Sequence, residues 1–292
     1  MAKPLIVIVG QTASGKTALS LELAERFNGE IIAADSRTVY QGLDIGTAKP
    51  TAAEQARVPH HLIDVVTPDQ AFTAADFKRL ANQAIDDISA RGQLPIMVGG
   101  SGLYVDAVLY DYEFRSPADP AERQRLIGLT VSELQAEIKA RGLPMPANAN
   151  NPRHLSRVLE TGQLTTARQP LRPQTLILGL QLDRDQLNKR IAKRVEAMFS
   201  AGVVDEARQL LAQYGPAVPA LETPGYMALR QYLAGDLSLD QAKQVFVRDH
   251  QQLAKRQRTW FKRNNSIQWL PQQGTIAKSV EMVTTFLNTL TI

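Results

Sequence analysis

Apolar runs and helix-forming stretches alternate along the first third of the chain. Residues 5–9 form an unbroken apolar run that ends at Gly10, which is typical of a strand buried on both faces of a sheet. Helix-forming residues follow over 18–24, and the alternation continues to about residue 110, which predicts an α/β doubly wound core. The later predicted elements are strands at 30–34, 61–65 and 94–98, a loop over 39–60, and helices at 74–91 and from Leu103 onward.

The pattern changes between residues 115 and 170, where the chain is polar, helical and interrupted by prolines. An apolar run over 175–182 then predicts a strand that rejoins the sheet, and one amphipathic helix follows another from 184 to 263. We therefore predict a core and a small helical insertion. The core comprises 1–114 and 171–292, with an edge strand at 267–270 and a last helix at 275–290, and the insertion comprises 115–170.

One arginine lies on the buried stripe of the predicted helix over 184–199. At about 100° per residue, Leu187, Ile191, Val195 and Met198 fall on one face, and Arg194 lies within that stripe, with Arg190 just beside it. Arginine is rarely buried without a partner. Arg194 is therefore predicted either to clamp an anion or to form an internal salt bridge, and the pattern favours neither.

The predicted helix over 246–263 has one apolar and one basic face. The basic face indicates a polyanion such as RNA, and a membrane-surface helix is the competing interpretation. We expect the apolar face to pack on the helices of 203–235. The apolar face comprises Phe246, His250, Leu253, Ala254, Gln257, Trp260 and Phe261, and the basic face comprises Arg248, Lys255, Arg256, Arg258, Lys262 and Arg263.

Composition excludes several kinds of site. The 292 residues contain no Cys, which excludes disulfides, thiolate nucleophiles and Cys-ligated zinc. They contain only four His, which are few for a metal site. The net charge is only +4, so the basic face over 246–263 is better evidence for nucleic-acid binding than the net charge of the chain. No apolar run of membrane-spanning length and no leader before the first strand are apparent, so we expect no membrane span, no signal peptide and a cytoplasmic location.

The stretch 10–17 fits the G-x-x-x-x-G-K-[ST] pattern of a phosphate-binding loop between a strand and a helix. Lys16 supplies a charge and Thr17 a hydroxyl for Mg²⁺, and the loop N–H groups lie at the positive end of the helix. A glycine-rich turn that binds nothing is the alternative. The pattern predicts a P-loop NTPase-like parallel sheet flanked by helices, as in ATP-binding and other nucleotide-binding proteins, with a helical insertion and a helical C-terminal region.

The carboxylates of the core do not match an ATPase. The strand over 94–98 ends in Gly-Gly rather than in the Asp that holds magnesium in many P-loop enzymes. Asp64 is a possible substitute, but Asp35 is better placed because it follows the predicted strand 30–34, at the sheet edge where ligands bind. A helix cap or a partner for Arg37 is the alternative role for Asp35.

The sequence resembles the tRNA dimethylallyltransferases, also called tRNA isopentenyltransferases, over nearly its whole length. The motifs of that family occur in the family order. They are the loop 10–17, Asp35-Ser36, Tyr40–Pro50 (Y-Q-G-L-D-I-G-T-A-K-P), Pro59–Asp64, Gly99–Tyr104 (G-G-S-G-L-Y), Asn151–Arg157, Gly225-Tyr226 and Ala254–Trp260 (A-K-R-Q-R-T-W).

The resemblance implies transfer of the dimethylallyl group of dimethylallyl diphosphate to N6 of adenine 37, beside the anticodon of tRNA, with Mg²⁺ and with release of diphosphate. Asp35 would be the general base, and Lys16, Ser101 and Arg194 would stabilise the leaving group. The implied diphosphate ligands are Gly10, Gln11, Thr12, Ala13, Ser14, Gly15, Lys16 and Thr17, with Thr17 also holding the metal. The implied contacts with the tRNA anticodon stem-loop are Asp35, Ser36, Arg37, Thr38, Arg153, His154, Arg157, Lys255 and Arg256. We expect a monomer that does not associate with membranes.

Several positions depart from the family pattern. Ser101 replaces the usual Thr and keeps the hydroxyl, Gln11 replaces a usual Pro, and His250-Gln251 replace a Thr-Arg pair. The stretch 115–150 is shorter than in many relatives. The alternatives are an enzyme that prenylates free AMP or ADP, and a P-loop kinase or RNA-binding NTPase.

Overall fold

A six-stranded parallel sheet forms the centre of the larger of two units. The computed structural model describes residues 3–114, 119–162, 168–216 and 218–290. The strand order is β3-β2-β4-β1-β5-β6, and all of the pairs are parallel. The strands are β1 (Leu5–Gly10), β2 (Gly29–Ala34), β3 (His60–His61), β4 (Leu94–Gly99), β5 (Thr175–Leu180) and β6 (Ile267–Trp269).

Both faces of the sheet are covered by helices. Every residue of β1 and β2 is buried, as predicted for strands covered on both faces. This confirms the predicted P-loop-like α/β fold with a helical C-terminal region. The helices of this unit are α1 (Lys16–Arg26), α2 (Ala52–Arg57), α3 (Ala74–Ala90), α4 (Gly102–Leu109), α8 (Arg184–Ser200), α9 (Val203–Tyr214), α10 (Tyr226–Leu233), α11 (Leu239–Phe261) and α12 (Thr275–Leu290), and a 3₁₀ turn spans Pro219–Leu221.

The region between β2 and α3 differs from the prediction. The predicted strand over 61–65 is wrong beyond His61, because Leu62 and Asp64 adopt left-handed backbone angles, with φ of 63° and 55°. The N–H groups of Asp64 and Val65 instead bond to the carbonyls of residues 38 and 39. The predicted loop over 39–60 contains α2, which begins at a Thr51 capping box.

The C-terminal helices pack as their patterns predict. On α8 the stripe of Leu187, Ile191, Val195 and Met198 is buried. The apolar face of α11 contacts α10, as expected, and also α8 and α4. No described helix is both long and apolar enough to cross a bilayer.

The smaller unit spans Tyr110–Pro170. Leu134, Ile138, Leu155 and Val158 lie in a small apolar core of its own. The start predicted for it, residue 115, lies outside the described residues, whereas the unit begins at Tyr110 by its contacts. Its helices are α5 (Pro120–Ile127), α6 (Val131–Ala140) and α7 (Pro152–Thr161).

Candidate active site

The phosphate loop leaves β1 at Gly10 and enters α1 at Lys16. Gly10 and Gly15 have φ angles of 155° and 100°, and a side chain at Gly10 would overlap the backbone of Leu180 on β5. The Nζ of Lys16 donates to the carbonyls of Gly10 and Gln11 at 3.0 and 2.7 Å. The loop therefore curls around its own lysine, in the form expected of an anion cradle.

Two hydrogen-bonding groups of the loop bear on anion binding. The Oγ of Ser14 is buried and has no partner among the described residues. Thr17 is exposed at the start of α1. The N–H of Thr12, by contrast, already donates to Gln257 at 2.7 Å, so this predicted ligand does not offer a free backbone donor.

The charges around Lys16 favour an incoming anion. The pKa of Lys16 is lowered to about 8, mainly by burial and also by the charge of Arg194, while the charge of Asp35 opposes both. A bound phosphate would favour the charged form of Lys16. The site therefore holds an excess of positive charge in a partly desolvated place.

Arg194 is half-buried on α8, inside the apolar stripe. Its Nη2 donates to the carbonyl of Thr47 at 3.5 Å, and burial lowers the pKa of Arg194 while the charge of Asp35 raises it. Within the described residues, Arg194 forms no ion pair with a carboxylate. Of the two predicted roles, an anion clamp fits this geometry. The Nη1 of Arg190 lies 3.9 Å from the position that a Cβ on Gly15 would take, beside the phosphate loop.

Asp35 lies directly after β2, at the carboxyl edge of the sheet, and is half-buried. Its Oδ1 accepts a hydrogen bond from the backbone N–H of Arg37 at 2.8 Å. Asp35 therefore caps the turn through the backbone of Arg37, and it does not pair with the Arg37 guanidinium among the described residues. In the part of the chain that the structure describes, Asp35 forms no ion pair, and its charge acts on Lys16 and Arg194.

A second glycine-rich turn over residues 99–102 joins β4 to α4. A side chain at Gly99 would overlap the carbonyl of Ala34, and the N–H of Ser101 donates to that same carbonyl at 3.2 Å. The Oγ of Ser101 accepts from the N–H of Ser36 at 2.8 Å. Because the Ser101 oxygen is the acceptor in this bond, its hydroxyl proton is not used by Ser36.

The stretch 40–50 is held by contacts that periodicity does not reveal. Lys49 is buried, and its Nζ donates to the carbonyl of Tyr40 at 2.9 Å and pairs with Asp44 and Asp64. Asp64, the alternative carboxylate for magnesium, is therefore engaged in an ion pair with Lys49. Only the family motif over residues 40–50 indicates that Lys49 is important, because its position follows no helical or strand periodicity.

Glu206 of α9 anchors the same stretch from the other side. Its carboxylate accepts from the N–H groups of Asp44, Ile45 and Gly46 at 2.7–3.0 Å, and from the hydroxyl of Tyr226. Burial raises the pKa of Tyr226, with the charge of Glu206 acting in the same direction. Helical periodicity does not reveal Glu206, because the backbone N–H groups that it binds are about 160 residues away along the chain.

The side chains assigned to RNA fall into three groups. Ser36 and Arg37 are half-buried beside Asp35, and the Oγ1 of Thr38 is buried without a partner among the described residues. The basic face of α11 is exposed, whereas His250, in a departure from the family pattern, points inward and stacks on Phe246. The exposed basic residues are Arg248, Lys255, Arg256 and Arg258 on α11, Lys262 and Arg263 directly after it, and Arg153 and Arg157 on α7 of the smaller unit, where His154 is also exposed.

Comparison with known proteins identifies the family. The family model described as IPP transferase matches residues 38–264, more than three quarters of the chain. The chain belongs to the IPP transferase family. The match covers Asp44, Ser101, Arg194 and Gln257.

Named members of the IPP transferase family match this chain along nearly their whole length. The tRNA dimethylallyltransferase 1 of Citrifermentans bemidjiense is 42% identical, with 97% of each chain covered. The tRNA dimethylallyltransferase of a Roseiflexus species is 44% identical over 92% of this chain and 93% of its own. The crystal structure of a full-length tRNA isopentenylpyrophosphate transferase from Bacillus halodurans has a TM-score of 0.77 and 36% identity, and the match covers 98% of this chain and 97% of that one.

Proposed function

We propose that this IPP transferase family member transfers the dimethylallyl group of dimethylallyl diphosphate to N6 of adenine 37 in tRNA and releases diphosphate. The observation that carries the proposal concerns Asp35, which forms no ion pair among the described residues and whose charge acts on the cations Lys16 and Arg194 at the phosphate loop. The names of the relatives support tRNA as the acceptor.

The diphosphate would be the group held by the phosphate loop. Lys16, Arg194 and the hydroxyls of Ser14 and Ser101 supply positive charge and donors where negative charge develops as the carbon–oxygen bond breaks. A single preorganised donor of this kind contributes about 3–4 kcal/mol to the transition state. Because no ATPase carboxylate follows β4, the same loop type suits a leaving diphosphate better than ATP hydrolysis.

Magnesium fits the site through Thr17. Mg²⁺ prefers one or two protein oxygens together with phosphate oxygens and water, and Thr17 exposes a hydroxyl at the start of α1. No group of three His, Asp or Glu side chains that could hold a metal alone occurs within the described ranges. When bound with the substrate, the ion would neutralise charge on the diphosphate.

Asp35 would accept the proton from the adenine amine. The lone pair of N6 is delocalised into the ring, so this nitrogen is a poor nucleophile until its proton is removed. As the new carbon–nitrogen bond forms, the N6 proton passes to the Asp35 carboxylate and the electron pair of the breaking bond leaves with diphosphate. The Oδ1 of Asp35 is fixed by the Arg37 N–H, which orients the carboxylate for this transfer.

RNA would be bound by the exposed basic face of α11 and by α7. Phosphate contacts from Lys255, Arg256, Arg153 and Arg157 would orient the stem, and a base in a loop is extruded at lower cost than one in a duplex. His154 follows Arg153 on α7, and Ser36, Arg37 and Thr38 would lie near the target base. We further propose that the protein acts as a cytoplasmic monomer.

The proposal is tested by offering three acceptors with labelled dimethylallyl diphosphate and Mg²⁺. A tRNA with adenines at positions 36–38 should yield N6-prenylated adenine, whereas AMP and ADP should not. Transfer to tRNA should weaken steeply with added salt because phosphate contacts release counterions. Transfer to AMP alone would support the free-nucleotide alternative, and phosphate release from ATP would support a kinase or NTPase.

A further inference from the structure

One buried carboxamide joins the two glycine-rich turns of the larger unit. Gln257 of α11 is 8% exposed, and its Oε1 accepts from the N–H of Thr12 at 2.7 Å. Its Nε2 donates to the carbonyl of Gly100 at 3.2 Å. Thr12 belongs to the phosphate loop and Gly100 to the turn that carries Ser101, so both turns are fixed to the same side chain.

Further contacts show that this arrangement is closely packed. A Cβ at Gly100 would overlap the amide of Gln257, so the close approach requires glycine at that position. The Nε2 of Gln11 donates to the carbonyl of Ala254 at 3.3 Å, one turn before Gln257. Two successive residues of the phosphate loop are therefore tied to α11, while the basic side chains of α11 are exposed.

We propose that Gln257 is a positioning residue, which sets the distance between the phosphate loop and the Ser101 turn and so assembles the diphosphate site. The inference rests on the proposed function, because the two turns are assigned there to one leaving group. Helical spacing places Gln257 on the apolar face of its helix and predicts only a packing role. A glutamine with both ends bonded inside that face has a role that packing alone would not require.

The physical reason is preorganisation. Donors stabilise a developing charge only when they are held in place before the reaction, and an error of about 1 Å costs on the order of 100-fold in rate. Without the carboxamide, the Thr12 N–H and the Gly100 carbonyl lose their buried partner, and the two turns are no longer joined. RNA affinity should be unaffected, because Gln257 points away from the basic face.

The test uses Gln257→Leu, which removes both hydrogen bonds and roughly keeps the volume. The matched control is Gln252→Leu, an exposed glutamine of the same helix. We would measure the Kd of inorganic diphosphate by calorimetry, kcat and KM for dimethylallyl diphosphate, and the Kd of tRNA by anisotropy. For Gln257→Leu we expect diphosphate affinity and kcat to fall about tenfold or more, with a tRNA Kd within about threefold of wild type. Diphosphate affinity and turnover equal to the control would overturn the proposal.

A second variant, Gln257→Glu, separates positioning from loss of stability. A carboxylate can accept from Thr12 but cannot donate to Gly100, whereas a protonated carboxyl can do both. The activity of Gln257→Glu relative to wild type should therefore rise as the pH is lowered, and a ratio that does not change with pH would argue against positioning. If wild type transfers no prenyl group, the proposed function fails, while the diphosphate Kd values still decide the role of Gln257.

Discussion

Replacement of Asp35 by Asn separates two roles that the structure gives to one carboxylate. The Oδ1 of Asp35 caps the turn by accepting from the N–H of Arg37 at 2.8 Å, and an asparagine oxygen can accept the same bond. An asparagine cannot take a proton from adenine. Asp35→Asn therefore keeps the hydrogen bond that caps the turn and removes the base together with its negative charge.

The expected size of the effect follows from these two roles. A positioned general base contributes about 10²–10⁴-fold, or about 2.7–5.5 kcal/mol. Because Asp35 is the group that raises the pKa of Lys16, its loss also lowers the charged fraction of Lys16 near neutral pH and above. Asp35→Asn and Asp35→Ala should thus lose at least about 100-fold in single-turnover transfer, with a tRNA Kd within a few-fold of wild type.

The assay is single-turnover incorporation of labelled dimethylallyl into saturating tRNA, with thermal melting of each variant as the folding control. If Asp35→Asn kept more than about a third of the wild-type rate while Asp35→Ala lost activity, the carboxylate would be a turn cap only. Such a result would refute the assignment of Asp35 as the base.

Three further predictions concern other parts of the larger unit. The double variant Lys255→Ala with Arg256→Ala should weaken tRNA binding and reduce its salt slope by up to about two, whereas Lys278→Ala on α12 should change neither. Diphosphate binding near pH 8–9 should be accompanied by proton uptake by Lys16, whose pKa in the free protein is about 8, and affinity should fall as the pH rises further. Calorimetry in buffers of different ionisation enthalpy measures this uptake, and observed heats that are the same in every buffer would contradict it. Lys49→Met should lower the free energy of unfolding by about 1–3 kcal/mol in urea titrations, because it leaves two half-exposed carboxylates unpaired; an unchanged midpoint would show that the ion pairs are screened by solvent.

Local patterns were sufficient to predict the framework of the site. The apolar run before Gly10 predicts a buried strand, and the carboxyl end of a parallel strand meets the ligand edge, so Asp35 could be assigned to the same edge as Lys16. Helical spacing likewise predicted the inward position of Arg194 on α8. These inferences depend on near neighbours in the chain and on simple geometry.

Long-range partners could not be predicted in this way. The third strand was predicted too long because Leu62, Ile63 and Val65 are apolar, whereas the left-handed backbone at Leu62 and Asp64 turns the chain toward residues 38 and 39. Gln257 looked like one more member of an apolar face, since its partners at Thr12 and Gly100 are far away in sequence.

Glu206 presents the same difficulty on a helix surface. Nothing near it in sequence distinguishes an acid that collects three backbone N–H groups from an ordinary exposed carboxylate. Only the fold brings α9 against the stretch 40–50. The family motif marks that stretch as important, and the structure supplies the partner.

The most direct test of the central claim is the stoichiometry of one wild-type turnover. Diphosphate and prenylated nucleoside are quantified together after a single turnover with tRNA, the nucleoside by mass spectrometry of the digested RNA. We expect equal amounts of the two products, with the prenyl group on N6 of adenine 37. Diphosphate release without nucleoside modification, or modification at another atom, would contradict it.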